Sequence, residues 1–323
     1  MDTVRPTILI TGAAGFIGGH LAHAMQATSD VKLILVDDFS RSDKQPNWSD
    51  LQHITCIHRE ELIEQLNAGE VLVDWVIHLG ARTDTTEFDY AVHERLNLNY
   101  SKAIWSYCSK NKVPLIYASS AATYGAGAQG YADDESLLDQ LQPLNPYGLS
   151  KHQFDQWALA QTDRPPHWYG LKFFNVYGYR EAHKGRMASM VFHGYHQILH
   201  QGVVRLFRSH QSGVADGEQK RDFVYVKDIV RVVEWLICTQ PKSGVYNLGS
   251  GQARSFNDLI RAVFTAMGRP VNIQYIDMPQ DLRETYQYYT QAPMQKLRSV
   301  GYDRAFFSLE EGVTDYVQGY LMN

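Results

Sequence analysis

The sequence predicts an α/β fold, a doubly wound parallel sheet with a smaller C-terminal substrate lobe. Apolar, strand-like runs alternate with segments of helical periodicity through the first half of the chain, which is typical of parallel sheets. A glycine-rich turn follows the first of these runs. With 323 residues the chain exceeds the usual size of one hydrophobic core. We therefore expect a large dinucleotide-binding domain with an added lobe.

The elements are predicted in chain order. The expected strands of the large domain are 7–11, 32–37, 53–57, 73–79, 114–119 and 168–174, with helical periodicity in 90–110 and 147–161. Beyond Asn175 the sequence predicts loops, a helix near 187–201, short strands around 203–207 and 221–226, and a polar loop at 209–219. A helix at about 228–239 and the strand before Gly249 return to the first domain. The expected boundaries are 1–174 with 228–250 for the dinucleotide-binding domain, and 175–227 with 251–323 for the substrate lobe.

Composition limits the classes of partner. The net charge is −5, without a basic stripe for nucleic acid or a polybasic cluster for membranes. Cys56, Cys108 and Cys238 are scattered, which argues against a disulfide framework and for a reducing compartment. The first strand begins near Thr7, leaving no room for a signal peptide, and no apolar run has membrane-spanning length. We expect a cytoplasmic protein.

The turn after the first strand indicates a dinucleotide site. Gly12, Gly15 and Gly18 follow an apolar run and precede a helical pattern. Small residues let the backbone approach a pyrophosphate, and the next helix offers free N–H groups and a partial positive charge at its N-terminus. A turn that only packs helix on strand is the alternative. The second strand ends in Asp37 and Asp38, at the distance expected for a ribose-binding carboxylate.

The segment after the second strand bears on the choice between NAD and NADP. A carboxylate at the end of the second strand suits the ribose diol of NAD. Arg41 and Lys44 lie close by in sequence and can neutralise the additional phosphate of NADP. A solvated mixed-charge turn explains Lys44 equally well when that residue is taken alone.

A Tyr and a Lys four residues apart indicate proton-transfer chemistry. Tyr147 and Lys151 share a helix face just after Asn145-Pro146. A neighbouring ammonium lowers the pKa of a phenol, so Tyr147 can exchange protons with a substrate hydroxyl. Ser120 and Thr123 follow a predicted strand, at the sheet edge where ligands bind. Helix packing for the first pair and a simple turn for the second are the alternatives.

Two other constellations compete with this interpretation. His193, His196 and His200 share a helix face, but no acidic residue completes a zinc motif, so contacts with substrate, lobe or solvent are favoured over a metal. A Ser/His/Asp hydrolase would use Ser120, yet the chain lacks a Gly-x-Ser-x-Gly elbow.

In this order, the glycine loop, the Ser-Thr cluster and Tyr147/Lys151 match the extended short-chain dehydrogenase/reductase pattern. The segment from Phe173 to Ser189, with His183-Lys184-Gly-Arg-Met-Ala-Ser, resembles the ADP-L-glycero-D-manno-heptose 6-epimerases within that group. Further segments that resemble this family are Ala118–Gly125, Thr85–Glu87, Lys220–Val226, Tyr246–Gly249 and Tyr286–Ala292.

The resemblance implies roles for individual residues. Tyr147 and Lys184 correspond to an acid/base pair, Ser120 to support of the reacting oxygen, and Lys151 to a contact with the nicotinamide ribose. The implied cofactor contacts are Gly12, Gly15, Phe16, Ile17, Gly18, Asp37, Asp38, Lys44, Leu79, Gly80, Ala81, Arg82, Thr83, Lys151, Val176 and Lys184. The implied substrate contacts are Asn175, His193, Leu206, Phe207, Arg208, Ser209, Lys220 and Tyr286.

The implied reaction is an epimerisation without net redox change. A tightly held NADP, with NAD as the alternative, takes hydride from the sixth carbon of an ADP-heptose and returns it to the opposite face. Asp38, the segment Arg82-Thr83-Asp84 and Arg186 depart from the family pattern. A 4-epimerase, dehydratase or reductase acting on another nucleotide sugar is the alternative, as is a catalytically silent nucleotide-binding protein. We also expect a homo-oligomer.

Overall fold

The computed structural model describes residues 5–28, 30–283 and 286–322. The strands are β1 Thr7–Thr11, β2 Lys32–Asp37, β3 Ile54–His58, β4 Trp75–His78, β5 Leu115–Ser120, β6 Trp168–Phe173, β7 Asn175–Tyr177, β8 Val204–Phe207, β9 Lys220–Tyr225, β10 Gly244–Leu248, β11 Ala253–Ser255 and β12 Ile273–Ile276. The α-helices are α1 Phe16–Thr28, α2 Leu62–Ala68, α3 Tyr90–His93, α4 Tyr100–Asn111, α5 Pro146–Ala160, α6 Met190–Gln201, α7 Val226–Thr239, α8 Phe256–Ala266, α9 Gln280–Arg283, α10 Gln295–Ser299 and α11 Leu309–Tyr316.

A seven-stranded sheet, in the order β10-β6-β5-β4-β1-β2-β3, forms the main architecture. Strands β1 to β5 pair in parallel, with Leu9 opposite Ile34 on one side and Val76 on the other. The order reverses at β1, because β2 and β3 lie on one side of it and β4 to β6 on the other. This reversal is the position at which open α/β sheets bind ligands. The predicted doubly wound α/β fold is confirmed.

The chain divides into two compact units. The first contains residues 1–125, 133–172 and 230–246, and the second contains 126–132, 173–229 and 247–323. The seven-stranded sheet belongs to the first unit apart from the ends of β6 and β10. The division assigns residues 126–132 to the second unit, whereas the sequence-based boundaries put them in the first. The helix predicted at 228–239 begins at Val226 and crosses from the second unit into the first.

An aromatic core supports the sheet of the first unit. The Trp105 ring contacts the rings of Tyr117, Phe154 and Trp168 at centroid distances of 6.4, 6.3 and 5.3 Å, and all four side chains are buried. Because Phe154 belongs to α5 and Tyr117 to β5, this packing holds the helix against the strand. None of the described helices has the length and apolarity to cross a membrane.

The second unit has two small sheets. One has the order β11-β9-β7, with β7 parallel to β9 and β11 antiparallel to it. The other pairs β8 with β12 in parallel. The loop predicted at 209–219 lies between β8 and β9.

The helix predicted across 90–110 is interrupted. A π-helical stretch, Glu94–Asn99, separates α3 from α4. Such widened turns usually mark functional positions, because they turn a side chain out of the regular helix pattern. Asn97 lies in this stretch and is buried.

Candidate active site

The glycine loop joins β1 to α1 and packs against the end of β4. Gly12 has φ of +70°, and a Cβ there would lie 2.7 Å from the nitrogen of Gly80. Only glycine fits this left-handed position and close approach. The Gly80 N–H donates to Oγ1 of Thr11 at 3.0 Å, which holds the two loops together. The backbones of Gly12 and Gly80 thus form one continuous surface at the edge of the sheet.

The first turn of α1 presents backbone N–H groups at the end of the glycine loop. The helix begins at Phe16, and Ile17 and Gly18 follow within its first turn. The first N–H groups of a helix lack intrahelical partners and attract anions. A Cβ on Gly18 would lie 2.2 Å from the Gly12 oxygen, so this glycine is required for helix packing. The cradle therefore fits a dinucleotide pyrophosphate.

Substituting Gly15 tests this cradle. A Cβ at Gly15 would lie 3.0 Å from the Gly12 oxygen, and the rest of a valine would extend over the partly exposed loop surface. We expect Gly15→Val to abolish cofactor binding, because the branched side chain fills the space above the helix N-terminus. The dinucleotide content of the purified variant, measured by absorbance after denaturation, checks this. Stoichiometric dinucleotide would show that the loop is only a packing turn.

Asp37, at the end of β2, binds the glycine loop. Its Oδ2 accepts from the N–H of Ala14 at 3.0 Å, and its Oδ1 accepts from Nζ of Lys44 at 2.8 Å. Both side chains of this ion pair are largely buried. The ammonium of Lys44 therefore neutralises Asp37, a partner that sequence analysis did not consider for it.

Asp38 is more exposed and has a different set of partners. Its Oδ1 accepts from the N–H and the hydroxyl of Ser40 at 3.2 and 2.5 Å. These bonds, with the nearby charges of Arg59 and His58, hold the pKa of Asp38 below its ordinary value. Nη2 of Arg59 lies 3.9 Å from the carboxylate, and its buried Nε has no hydrogen-bond partner in the part of the chain that the structure describes. Sequence analysis missed Arg59 because it follows β3, distant in sequence from the glycine loop.

The loop after β4 is held by the π-helical stretch. Asn97 accepts from the N–H of Arg82 at 2.7 Å and donates to the carbonyl of Arg82 at 3.0 Å. It also donates to the hydroxyl of Ser150 on α5 at 3.0 Å. Asn97 thus fixes the segment that contains Leu79, Gly80, Ala81, Arg82 and Thr83 relative to the helix of Tyr147. Sequence analysis did not select Asn97. The available signal was that this residue does not fit the pattern of the helical segment around it.

The start of α5 brings Tyr147 to the Ser120 turn. Asn145 caps the helix by accepting from the N–H of Gly148 at 2.8 Å, and Pro146 takes the first helical position. A Cβ on Gly148 would lie 2.8 Å from the carbonyl oxygen of Ala122. This close approach brings the side chains of Tyr147 and Ser120 into a hydrogen bond. The two residues that sequence analysis selected separately are therefore neighbours.

The electrostatics of the pair differ from the sequence-based expectation. Burial raises the pKa of Tyr147, and the hydrogen bond from Ser120 opposes this. Lys151 does not lower it here, because Nζ of Lys151 donates to the carbonyl of Ala118 at 2.9 Å. Burial lowers the pKa of Lys151 itself to about 8. The ammonium in turn acts with burial to lower the pKa of His78 to about 3.

A buried ion pair lies beneath this site, and sequence analysis missed it. Asp155, fully buried on α5, accepts from Nζ of Lys172 at 2.7 Å and from the hydroxyl of Ser119 at 2.7 Å. Lys172 also donates to Oγ1 of Thr123 at 2.7 Å, and Thr123 donates to the carbonyl of Ser120 at 2.8 Å. The network fixes the Ser120 turn. Asp155 also acts on the two residues of α5. Burial is the largest cause of the raised pKa of Tyr147, the bond from Ser120 opposes it, and the charge of Asp155 adds to it. For Lys151, burial lowers the pKa and the charge of Asp155 opposes that shift.

In the second unit, Lys184 lies in a tight 3₁₀ turn, Ala182–Met187. Burial lowers the pKa of its amine, and the charge of Glu181 opposes that shift. His193, on α6, has its Nε2 3.3 Å from the carbonyl oxygen of Arg186 in the same turn. The second unit therefore brings Lys184 and His193 to one loop-and-helix junction.

A buried arginine beside Lys220 was also missed. Arg221 stacks on the ring of Tyr286 at 5.1 Å and on Phe256 at 5.8 Å. Its Nη1 donates to the carbonyl of Lys220 at 2.9 Å, and no carboxylate pairs with it among the described residues. Lys220 is exposed, whereas all the residues that follow it on β9 are buried. No alternation along this strand therefore marked Arg221 as a buried residue.

The remaining predicted substrate contacts lie on β7 or at the end of β8. The predicted substrate contact Asn175 and the predicted cofactor contact Val176, both on β7, pair with Phe223 and Val224 on β9. Leu206 and Phe207 end β8, and the backbone of Phe207 and Arg208 accepts from Gln219 at 3.3 and 3.4 Å. The N–H of Ser209 donates to Asp216 at 2.9 Å. The structure thus assigns Asn175, Val176 and Lys220 to one sheet and the Leu206 segment to another.

The described residues give no support to the two alternatives from the sequence, a metal site on the histidine face and a Ser/His/Asp hydrolase. Among the described residues no group of three or more His, Cys, Asp or Glu side chains has the arrangement of a metal site. His196 and His200 stack on one another at 6.0 Å, and Phe192 packs edge-on against His196 at 4.5 Å. Among the described residues, the titratable group that interacts with the Ser120 side chain is the phenol of Tyr147 rather than an imidazole.

The fold and this site define a nicotinamide-dependent short-chain dehydrogenase-type enzyme. The chain belongs to the NAD dependent epimerase/dehydratase family, whose model matches residues 8–249. A nicotinamide cofactor belongs to the chemistry of this family.

Known proteins resemble the chain over nearly its full length. It is 46% identical to the ADP-L-glycero-D-manno-heptose-6-epimerase of Fusobacterium nucleatum, over 97% of this chain and 98% of that protein. The crystal structure of the Helicobacter pylori ADP-L-glycero-D-manno-heptose-6-epimerase is similar, with a TM-score of 0.84 and 29% identity, covering 99% of this chain and 98% of that one. MoeE5, solved with UDP-glucuronic acid and NAD, has a TM-score of 0.74 and 26% identity, covering 97% and 98%. The resemblance predicted from the sequence is confirmed.

Proposed function

We propose that this protein is an ADP-L-glycero-D-manno-heptose 6-epimerase, an isomerase that inverts the sixth carbon of the heptose through a transient ketone. The observation that carries the proposal is the match to proteins of that name at 46% identity over 97% of the chain. The hydrogen-bonded Tyr147 and Ser120 supply the proton-transfer chemistry that the reaction needs. A dehydratase would need an acidic group beside this turn, where Ala121 and Ala122 lie.

The residues of this chain move the protons. When bound, the nicotinamide cofactor accepts hydride from the substrate carbon and returns it. Tyr147 takes the hydroxyl proton as the ketone forms from one epimer, and Ser120 donates a hydrogen bond that stabilises the phenolate. Lys151, held by Ala118, contacts the ribose of the nicotinamide. Because inversion presents the oxygen in two orientations, Lys184 serves as the acid/base for the other one.

The diphosphate of the substrate suits Arg221. Its buried guanidinium lies between the rings of Tyr286 and Phe256 and lacks a carboxylate among the described residues. Buried arginines of this kind favour bidentate contacts with phosphate. We assign Arg221 to this contact, with Lys220, Tyr286, Asn175, His193 and the segment 206–209 as the other substrate residues.

One experiment tests the proposed reaction. The purified protein, without added cofactor, is incubated with ADP-D-glycero-D-manno-heptose, and the two epimers are separated by anion-exchange chromatography. We expect a mixture of the two epimers, with one dinucleotide per chain released on denaturation. A UDP-glucose assay is the control for a 4-epimerase. Turnover of UDP-glucose alone, or no turnover of either sugar, would contradict the proposal.

For the cofactor we propose NADP over NAD. Nη2 of Arg59 lies 3.9 Å from Asp38, the carboxylate that follows the ribose-side Asp37, and the buried Nε of Arg59 has no hydrogen-bond partner among the described residues. A 2′-phosphate provides the acceptor that this Nε lacks, and the guanidinium offsets the negative charge of Asp38 beside that phosphate. Lys44 keeps Asp37 neutralised.

A homo-oligomer and a cytoplasmic location stay predictions. Analytical ultracentrifugation measures the first, and cell fractionation measures the second.

Arg59→Ala tests this preference. A charge-assisted hydrogen bond contributes about 1.5–3 kcal/mol, so the Kd for NADP should rise about tenfold or more. The Kd for NAD should change less than about threefold, because NAD lacks the 2′-phosphate. Arg5→Ala is the matched control, since Arg5 is exposed and pairs with Asp30. Titration of apo-protein with each dinucleotide measures both constants. Equal weakening of NADP and NAD would assign Arg59 to another part of the cofactor.

A further inference from the structure

Glu181 is a buried acidic residue to which the proposed reaction gives no role. It is 0% exposed and precedes the 3₁₀ turn that contains Lys184. Buried carboxylates are costly unless they are paired or hydrogen-bonded. The contacts of Glu181 therefore show what its burial achieves.

The carboxylate closes the loop 181–189. Its Oε2 accepts from the N–H of Ser189 at 2.7 Å, and its Oε1 accepts from the Ser189 hydroxyl at 2.6 Å. Ser189 is also the N-cap of α6. Glu181 further accepts from the N–H of Gly178 and bonds to the hydroxyl of Tyr316 on α11. One side chain thus holds both ends of the loop and anchors it to a helix.

The backbone of this loop needs such support. Arg180 has φ of +71°, a left-handed conformation that is unfavourable for a non-glycine residue. Gly185, next to Lys184, has φ of +53°. The N–H of Lys184 donates to the carbonyl of Glu181 at 2.9 Å, and that of Ala188 donates to Gly185 at 3.0 Å. The bonds to Glu181 offset the backbone strain and fix the turn.

The charge of Glu181 also acts on the lysine. Two backbone N–H groups donate to the carboxylate, and hydrogen bonds of this kind favour its ionised form. Burial raises the pKa of Glu181, while Lys184 and these bonds oppose that shift. Tyr316 is the other titratable group at the carboxylate, and burial together with Glu181 keeps it a neutral phenol, with Tyr225 and Tyr179 adding to the same shift.

We propose that Glu181 is a positioning residue for Lys184: its carboxylate holds the loop 181–189 closed and thereby keeps the amine of Lys184 in place. The inference rests on the proposed role of Lys184 in the reaction. It assigns a function to an acidic residue that exchanges no proton with the substrate.

Glu181→Gln tests the proposal with two measurements. The first is the pH dependence of acetylation of Lys184 by acetic anhydride, followed by peptide mass spectrometry. Without the negative charge the apparent pKa of Lys184 should fall, because the carboxylate favours the ammonium. The second is steady-state kinetics, in which kcat should fall about tenfold or more while KM stays within about threefold.

Two further variants separate positioning from stability. Tyr316→Phe removes one hydrogen bond from the carboxylate and leaves its charge, so it should lower Tm without moving the Lys184 titration. Ser189→Ala also keeps the charge, and it should lower kcat with an unchanged titration. If Glu181→Gln does not fold, the Ser189→Ala kinetics decide, and an unchanged kcat overturns the proposal.

The outcomes distinguish this inference from the proposed function. A Glu181→Gln protein with a lower Tm but wild-type titration and kcat would show that Glu181 has only a structural role. If Lys184→Met retains wild-type kcat, the acid/base role of Lys184 is wrong. In that case the acetylation profile still reports whether Glu181 controls the lysine.

Discussion

Tyr147→Phe should lower kcat at least about a hundredfold while the protein keeps its fold and its cofactor. General acid/base groups contribute about 10²–10⁴-fold to turnover. The substitution removes the hydroxyl that bonds to Ser120 and leaves the ring, whose centroid lies 6.4 Å from that of His93. Packing at the start of α5 is therefore preserved, and the loss reports proton transfer.

The measurement is kcat on ADP-heptose, together with the dinucleotide content and the Tm of the variant. Tyr90→Phe is the matched control, because it removes a phenol hydroxyl that donates to Gln153 in the same unit. That control should stay within about threefold of wild type. Retention of more than about a tenth of wild-type turnover by Tyr147→Phe would contradict its role in proton transfer.

Lys184→Met should also lower kcat about a hundredfold, with KM within about threefold of wild type. Methionine keeps much of the length of the side chain and removes the amine. A lysine that only contacts a substrate phosphate would show the reverse, a raised KM with kcat nearly preserved. The acid/base role and the phosphate-binding role of Lys184 therefore predict changes in different constants, kcat for the first and KM for the second.

Lys220→Met provides the comparison for this variant. Lys220 is exposed at the start of β9 and is assigned to substrate binding, so its loss should raise KM and leave kcat nearly unchanged. Steady-state kinetics with a substrate titration measure both variants. If kcat of Lys184→Met stays within about threefold of wild type, the two-base scheme is wrong and Tyr147 must serve both faces.

The local parts of the site follow from short segments of sequence. Asn145-Pro146 predicts the start of α5, which fixes the helix face of Tyr147 and Lys151. The glycine spacing after β1 predicts the turn at Gly12 and the start of α1 at Phe16. These features depend on residues a few positions apart, whose geometry the helix and strand repeats determine.

Other parts depend on contacts between distant segments. The pKa of Tyr147 is raised although a lysine lies four residues away, because Lys151 bonds to Ala118 and burial dominates. Lys44 pairs with Asp37, and Nη2 of Arg59 lies 3.9 Å from Asp38. The spacing of residues in the sequence does not show how far burial removes water from a titratable group, or which charged side chain lies next to that group.

The sequence by itself determined the α/β class, the succession of strand segments along the first half of the chain, the glycine loop and the helix of Tyr147. These follow from periodicity and from the conformational limits of glycine, proline and capping residues. Only the tertiary structure decided the pairing of Asp155 with Lys172, the widened turn at Asn97 and the closure of the Lys184 loop by Glu181. Each of these joins residues that are distant in sequence or buried together, and their free energies depend on desolvation and hydrogen-bond geometry, which exist only in the folded chain.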